Sequence, residues 1–427
     1  MQLCLTLEHR FFQTPDRKIW TVTQCPYAFY REYLEVFDSV RVISRAFPVP
    51  RVESDFLPVE GPGVEFYAMP GYKGPFGFLS QFANVRARAR NAVPAGTAVI
   101  FRLPSQVANS VESWLTQRRL PYAVEVVADP YDVLSPAANR HAVAPIARRY
   151  FTRKLQRQCK DAVAVSYVTQ SYLQRRYPPA VEHSSGELLP GKDLLRTKQY
   201  AVAVSDANLS PECFVSETRT MLHDPTQLRI IFVGTLESLY KGPDLLLEAV
   251  GMCKAQGVQA RVRFVGMGAQ IPALQTMCAR LGLEEQVEFV GSVAAGEPVR
   301  RELDRADLFV LPSRAEGVPR AMLEAMARGL PCLGSHVGGI PEVLHGEDLV
   351  PAENAAALAK AIAEVFSQPG KLQRMSVRNL QKAHTYSALV LSQQRRRFFE
   401  AVKELTKRAQ RERHEPSRQA LPSAVET

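Results

Sequence analysis

The sequence predicts an α/β protein built from two Rossmann-like domains. Three observations lead there. The chain has 427 residues, too many for one ordinary core and enough for two domains of about 200 residues each. Both halves alternate short apolar strands with amphipathic helices, the rhythm of βαβ units around a parallel sheet. Between the halves, residues 207–227 show neither period and read as a crossover.

The first half is read in chain order. Leu3–Leu7 is a strand, and Tyr27–Phe37 is a helix with Phe29, Tyr33, Leu34 and Phe37 on one face. Val40–Ile43 and Val64–Ala68 are strands, the second followed by a Gly/Pro-rich loop at Pro70–Gly77. A helix covers Phe78–Arg90, and Ala98–Arg102 and Ala123–Ala128 are the next strands. The basic helix Ala147–Gln158 precedes the strands Ala162–Ser166 and Tyr200–Val204.

The second half is cleaner. Strands are predicted at Leu228–Val233, Val262–Val265, Val287–Val290, Leu308–Leu311 and Pro331–Gly334, with helices at Pro243–Gln256, Ile271–Leu281, Glu297–Ala306 and Arg320–Arg328. A last helix spans Ser387–Arg408. The expected division is a first domain at 1–206, a linker at 207–227 and a second domain at 228–385. A helix at 386–408 packs back on the first domain, and a charged, Pro/Ser-bearing tail at 409–427 is disordered.

Composition narrows the class. Hydrophobic residues make up 46% of the chain, enough for two cores. No run of 18 uncharged apolar residues occurs, so no membrane-spanning helix is expected. Met1–Arg10 carries Glu8 and His9 and lacks a basic start followed by a long apolar stretch, so no secretory signal is expected. The seven cysteines are widely spaced with no CxxC pair. Cys4, Cys159, Cys253 and Cys332 read as buried small hydrophobes, not as disulfide or zinc partners. Together these features predict a cytoplasmic protein.

The net charge of +10 is uneven: residues 1–200 hold 26 Lys/Arg against 17 Asp/Glu. Solvated helix faces account for such an excess. A basic surface for an anionic membrane face or a lipid-phosphate acceptor accounts for it as well. The arginines lack interleaved surface aromatics and no nucleic-acid module is present, so nucleic acid is not an expected partner.

Two constellations carry chemistry. The first is Phe232-Val233-Gly234-Thr235-Leu236, followed by Lys241-Gly242. A strand ends at Gly234 and a helix starts near Pro243, so backbone can approach a ligand closely and helix N–H groups face an anion. Lys241 is a point charge suited to a diphosphate; a surface lysine on an ordinary turn is the other reading. The second is Glu316 and Glu324, in a loop and one turn into the following helix. This spacing brings both carboxylates near one strand end, one for a sugar hydroxyl and one for ribose hydroxyls. The N–H groups of Val318, Arg320, Ala321 and Met322 would face the phosphates, Pro319 having none to offer, with Gly317 beside them among the donor-binding candidates. Two glutamates eight apart are common in isolation; the loop-to-helix context gives the pair its meaning.

In this order the motifs resemble the family-4 retaining glycosyltransferases of the GT-B fold, whose two domains face each other across a cleft. The family pattern is a VGxL…KG loop, an E-x7-E motif and a GG-x-PE loop. Here these are Val233-Gly234-Thr235-Leu236…Lys241-Gly242, Glu316…Glu324 and Gly338-Gly339-Ile340-Pro341-Glu342-Val343. Gly266 and Gly268 match the family's G-x-G turn, and Phe289-Val290-Gly291-Ser292 its base-flanking strand and loop. The likeness is strong over residues 228–352 and loose elsewhere.

The resemblance implies roles. Lys241 would neutralise the diphosphate, Glu316 contact the donor sugar, and Glu324 bind the ribose. Gly291, Ser292 and Val293 would line the base pocket, with uracil the commonest base in the family. No cofactor and no bound metal are expected, since a cation and helix N–H groups stand in for a metal clamp. Configuration would be retained through a front-face attack, with Glu316 positioning the sugar. The family's usual Arg after VG is Thr235 here, so another arginine, Arg314 or Arg320, would have to replace it. The family's His after the fourth strand is also missing, which leaves Arg102 or Ser105 to do that work. His9, Ser105 and Asp129 are the acceptor-side candidates, with Tyr131 beside Asp129 and His141 as a further loop residue.

The expected activity is transfer of a hexose or related sugar from a nucleoside diphosphate donor to a saccharide or lipid-linked hydroxyl, in bacterial cell-surface or exopolysaccharide synthesis. Peripheral contact with the inner membrane face is left open. A GT-B sugar-nucleotide epimerase and a degenerate nucleotide-sugar-binding scaffold subunit are the alternatives.

Overall fold

The computed structural model describes residues 1–22, 24–134, 144–180, 199–220, 222, 224–368 and 370–414. In the first domain the strands are β1 (Gln2–Gln13), β2 (Ile19–Thr21), β3 (Ser39–Pro48), β4 (Leu57–Pro58), β5 (Val64–Pro70), β6 (Ala98–Leu103), β7 (Ala123–Val126), β8 (Ala164–Tyr167) and β9 (Tyr200–Ala203). The parallel sheet runs β5-β3-β1-β6-β7-β8-β9, and the short β2 and β4 join antiparallel at the far end of β1. In the second domain β10 (Leu228–Val233), β11 (Ala260–Val265), β12 (Val287–Gly291), β13 (Leu308–Leu311), β14 (Cys332–Ser335) and β15 (Leu349–Val350) are all parallel, in the order β12-β11-β10-β13-β14-β15.

Both sheets therefore reverse direction of growth once, between β1 and β6 and between β10 and β13. Helices on the two faces splay apart at such a reversal and leave a crevice outside the carboxyl ends of the strands. These two crevices are where the sequence motifs come together. The strands read as apolar runs because both faces of a parallel sheet are covered: Leu308–Leu311 is buried at every position.

One face of the first sheet packs under the helices Phe82–Ala89, Gln106–Gln117 and Ala144–Asp161 through Val85, Val107, Val111 and Leu155. The other face is covered by Tyr30, Tyr33 and Phe37 together with Phe398, Phe399, Val402 and Leu405 from the last helix, Ala388–His414. That helix begins with Leu391 in the second domain's core and ends on the first domain. Arg395 pairs with Glu32 at 2.7 Å, and the rings of Tyr33 and Phe399 stack at 4.4 Å. The chain thus crosses between domains twice, side by side, where the Ala388 N–H donates to the Leu209 carbonyl.

The structure corrects several sequence expectations. Helix continues through residues 409–414, which read as the start of a disordered tail. An Arg408–Glu412 pair one turn apart supports it, as does a hydrogen bond from Gln410 to the Thr97 carbonyl at 3.4 Å. Residues 415–427 and His141 lie outside the described residues. The expected helix at Tyr27–Phe37 is a 3-10 turn followed by a single α-helical turn at Arg31–Leu34. Part of the expected linker belongs to the second domain, since Ala207, Leu209 and Cys213 are buried in its core. No helix among the described residues is long and apolar enough to cross a membrane.

Candidate functional site

The second crevice is built from two loops. β10 ends at Val233 and its loop leads to Lys241 and the helix Pro243–Ala255. β13 ends at Leu311 and its loop leads through Glu316 to the helix Arg320–Ala327. Reversal of strand order makes these neighbours, and Lys241 forms an ion pair with Glu316. The lysine stem lies across Gly234, where a Cβ would come within 2.7 Å of Lys241 Cδ. Burial works against the ammonium, but the Glu316 carboxylate and the Tyr240 hydroxyl outweigh it and raise the lysine's pKa. Lys241 is therefore a fixed positive charge at neutral pH.

Glycines form the floor. Gly234, Gly266 and Gly291 sit at the carboxyl ends of three adjacent strands, and the Gly266 N–H donates to the Gly291 carbonyl at 2.9 Å. A Cβ at Gly266 would overlap the Gly234 carbonyl oxygen. Opposite, Gly338 adopts φ +55°, and a Cβ there would overlap the Glu316 carbonyl oxygen. The Gly339 N–H donates to the Gly317 carbonyl at 3.0 Å. The backbone of Glu316 and Gly317 is therefore held in place by the Gly338-Gly339 turn. Ser292 is exposed and Gly291 and Val293 half-buried at the far edge of this floor, beside Met267.

The helix Arg320–Ala327 starts at Pro319 with no side-chain cap. The Met322 N–H is taken by the Pro319 carbonyl at 3.1 Å, a correction to the expectation that it faces a ligand. The N–H groups of Val318, Arg320 and Ala321 have no protein partner among the described residues. Glu324, one turn in, is half-buried, and its carboxylate has no hydrogen-bond or ion-pair partner among the described residues. Burial raises its pKa against the opposing pull of Arg320 and Arg300. Arg320 is exposed and unpaired among the described residues. Arg314 is not available as a substitute for the arginine that Thr235 replaces. Its guanidinium makes two 2.9 Å bonds to Asp244 and a 2.6 Å bond to the Leu239 carbonyl. The Thr235 hydroxyl accepts from the Glu237 N–H at 3.2 Å and shapes the turn.

The first crevice is built differently. The helix Gln106–Gln117 follows β6, as Arg320–Ala327 follows β13, but its N-terminus is filled. Ser105 accepts from the Ala108 N–H at 3.0 Å. Glu8 accepts from the Ser105 hydroxyl at 2.8 Å and from the N–H groups of Gln106 and Val107 at 2.8 and 3.1 Å. Arg45 pairs with the other Glu8 oxygen at 3.0 Å. A register shift in β1 between Thr6 and Arg10 lies at this point. Ser105 is thus a helix cap, not a free acceptor-side group. Asp129 is likewise committed: it caps the helix Pro130–Val133 through the Tyr131 N–H at 2.8 Å and is held by Arg176 and Tyr177. His9 Nε2 lies 2.9 Å from the Thr21 hydroxyl, and burial, Arg45 and Arg10 lower its pKa.

Arg102 lines a cavity of the first domain. It forms a 2.8 Å ion pair with Glu125, which also accepts from the Tyr33 hydroxyl at 3.1 Å. Burial opposes its charge; Glu125, Tyr33 and Asp206 more than offset that and raise its pKa. The cavity, of about 180 Å³, is lined by Phe29, Arg102, Glu125, Ser166, Val168 and the exposed carboxylate of Asp206, among others. Val168 also faces Gly317 of the loop after β13, 3.9 Å from where a Cβ would stand. Sequence reasoning missed Glu125 and Asp206. Glu125 carried a signal, a carboxylate inside a strand buried throughout; Asp206, in an irregular segment, carried none.

Comparison with known proteins bears on the second domain most directly. Residues 227–368 match the family model described as glycosyl transferases group 1. Protein CapJ of Staphylococcus aureus is 22% identical over 334 residues, 78% of each chain. The putative colanic acid biosynthesis glycosyltransferase WcaL of Escherichia coli K12 is 40% identical over 152 residues, 34% of this chain and 37% of that protein. Among solved structures, a sucrose-phosphate synthase of Thermosynechococcus elongatus aligns with a TM-score of 0.64 at 17% identity, covering 92% of this chain and 97% of the other. HepE of Anabaena, solved in complex with UDP and glucose, aligns with a TM-score of 0.61 at 16% identity, covering 92% and 98%. These likenesses extend the GT-B arrangement of two Rossmann-like domains over nearly the whole chain.

Proposed function

We propose that this chain, whose residues 227–368 match the group 1 glycosyl transferases, moves a hexose or related sugar from a UDP-sugar to a hydroxyl of a saccharide or lipid-linked acceptor with retention of configuration. The observation that carries the reading is the half-buried Lys241–Glu316 pair beside an uncapped helix N-terminus. A diphosphate entering there meets a fixed cation and free N–H groups, and releases Glu316 to a sugar hydroxyl. Glu324, unpaired, is placed for the ribose hydroxyls, and Gly291, Ser292 and Val293 for the base. HepE's complex with UDP and glucose supports uracil as the base, and the name of WcaL supports a role in surface-polysaccharide synthesis.

In the proposed step the bond between the anomeric carbon and the phosphate oxygen breaks as negative charge grows on the diphosphate. Lys241 and the N–H groups of Val318, Arg320 and Ala321 stabilise that charge. The acceptor oxygen bonds to the anomeric carbon from the same face, and its proton passes to the departing phosphate oxygen. No metal is needed in this scheme, because the positive charge is supplied by the protein. The acceptor is assigned to the Arg102 cavity, whose Asp206 and Ser166 offer hydrogen bonds to hydroxyls.

A cytoplasmic protein with peripheral contact to an anionic membrane face is part of the proposal. Ile146 and Tyr150 are exposed on the helix Ala144–Asp161 beside Arg149, Arg153 and Arg157, an arrangement suited to an interfacial surface. Calorimetric titration with UDP-, GDP-, ADP- and TDP-sugars in the presence of a chelator tests the donor assignment. One donor should bind in the micromolar range and be weakened by both Lys241→Ala and Glu324→Ala. A folded protein that binds none of them removes the reading.

A further inference from the structure

We infer that Glu342 is a positioning residue for transfer, clasping the first domain so that the donor loop is held in register with the acceptor face. Glu342 lies in the second domain, on the short helix Ile340–Val343. Its carboxylate accepts from the backbone N–H groups of Gln170, Ser171 and Tyr172 at 2.5, 2.9 and 2.8 Å, and from the Ser171 hydroxyl at 3.1 Å. All these donors belong to the first domain, in the segment that leaves β8. One side chain thus takes four charge-assisted hydrogen bonds across the domain boundary. Gln170 adds a 3.4 Å bond to the Tyr386 hydroxyl, beside the point where the chain crosses between domains.

Behind Glu342 the path to the donor site is short and rigid. Ile340 is fully buried in the second domain's core and directly follows Gly338-Gly339. That turn bears on the backbone of Glu316 and Gly317, and Glu316 holds Lys241. A shift of the segment Gln170–Tyr172 is therefore carried through Glu342 and the glycine turn to the two charged groups of the donor site. The same first-domain segment starts next to Val168, which lines the Arg102 cavity. The clasp thus ties the acceptor cavity to the donor loop through one carboxylate. A misplacement of an ångström between reacting groups is enough to cost about a hundredfold in rate, so such a tie acts on turnover more than on donor affinity.

The inference rests on the transferase reading, and its test separates the two. Full-length Glu342→Gln, Ser171→Ala and Ser171→Asp are compared with the parent by amide hydrogen exchange, calorimetry with UDP, and steady-state kinetics. Glu342→Gln should speed exchange at Ser171 and Tyr172, leave UDP affinity within about twofold, and lower kcat about tenfold. Ser171→Ala should have a smaller effect. Ser171→Asp, which sets a like charge against Glu342, should reproduce the Glu342→Gln pattern and serves if that variant folds poorly. Unchanged exchange and unchanged kcat in Glu342→Gln overturn the clasp. So does a loss of kcat matched by an equal loss of UDP affinity, which marks general destabilisation. If the parent binds no nucleotide, the transferase reading fails and the inference falls with it, whereas exchange at Ser171 and Tyr172 still reports whether the contact exists.

Discussion

Glu8 accepts a hydrogen bond from Ser105 at 2.8 Å and, with it, fills the helix N-terminus at the first domain's crevice. The matching helix of the second domain starts at Pro319 with no side-chain cap. The two domains share a strand order around their crevices, yet one supplies its own anion and the other leaves the place for a ligand. This contrast supports the proposal that the anionic donor binds the second domain, since a helix N-terminus already satisfied by a carboxylate repels a phosphate.

Replacing Glu8 with Ala leaves the first turn of Gln106–Gln117 without its carboxylate and Arg45 without its partner. We expect a loss of about 1–2 kcal/mol of stability, measured by urea unfolding, with donor affinity unchanged. A drop in donor affinity would place Glu8 in the donor site.

Lys241 and Glu316 neutralise each other before the donor arrives. Lys241→Ala should weaken nucleotide binding by about tenfold or more. Glu316→Gln frees the lysine, so UDP should bind as well as to the parent while turnover falls. Calorimetry with UDP and kinetics with the UDP-sugar read the two effects separately.

Gly338 stands at φ +55° against the Glu316 carbonyl. Gly338→Ala must displace that backbone as well as strain its own. Loss of turnover by at least about tenfold is expected, with stability falling by about 1–3 kcal/mol. A parent-like kcat would show that the turn does not position Glu316.

His9 is depressed in pKa by burial and by Arg45 and Arg10. The unfolded chain therefore takes up a proton at a higher pH than the folded one. Stability from this group is complete above the unfolded value of about 6.5 and is lost as pH falls below it. The parent should lose stability between about pH 7 and 5 more steeply than His9→Asn, as followed by thermal unfolding across that range.

The fold and the motif loops of the second domain were legible because they rest on local pattern. Apolar strand runs such as Leu228–Val233, and the motif residues Lys241, Glu316 and Gly338-Gly339, stand out in the linear chain. The acceptor side was not. Ser105 and Asp129 looked free because a sequence does not show which backbone N–H groups a hydroxyl or carboxylate will satisfy. Arg314 looked available because Asp244, its partner, lies 70 residues away. Glu342 stood in a recognised motif, yet its partners are more than 165 residues distant.

By itself the sequence determined the two α/β domains, the strand ends that carry the motifs, and the residue types suited to a diphosphate and a ribose, since these follow from periodicity and side-chain chemistry. Tertiary structure decided which of two similar crevices is open, which charged groups are already paired, and that one carboxylate on the second domain grips the first. Those matters depend on strand order and on hydrogen bonds between distant segments, and pairing at a distance is set by packing, not by neighbourhood along the chain.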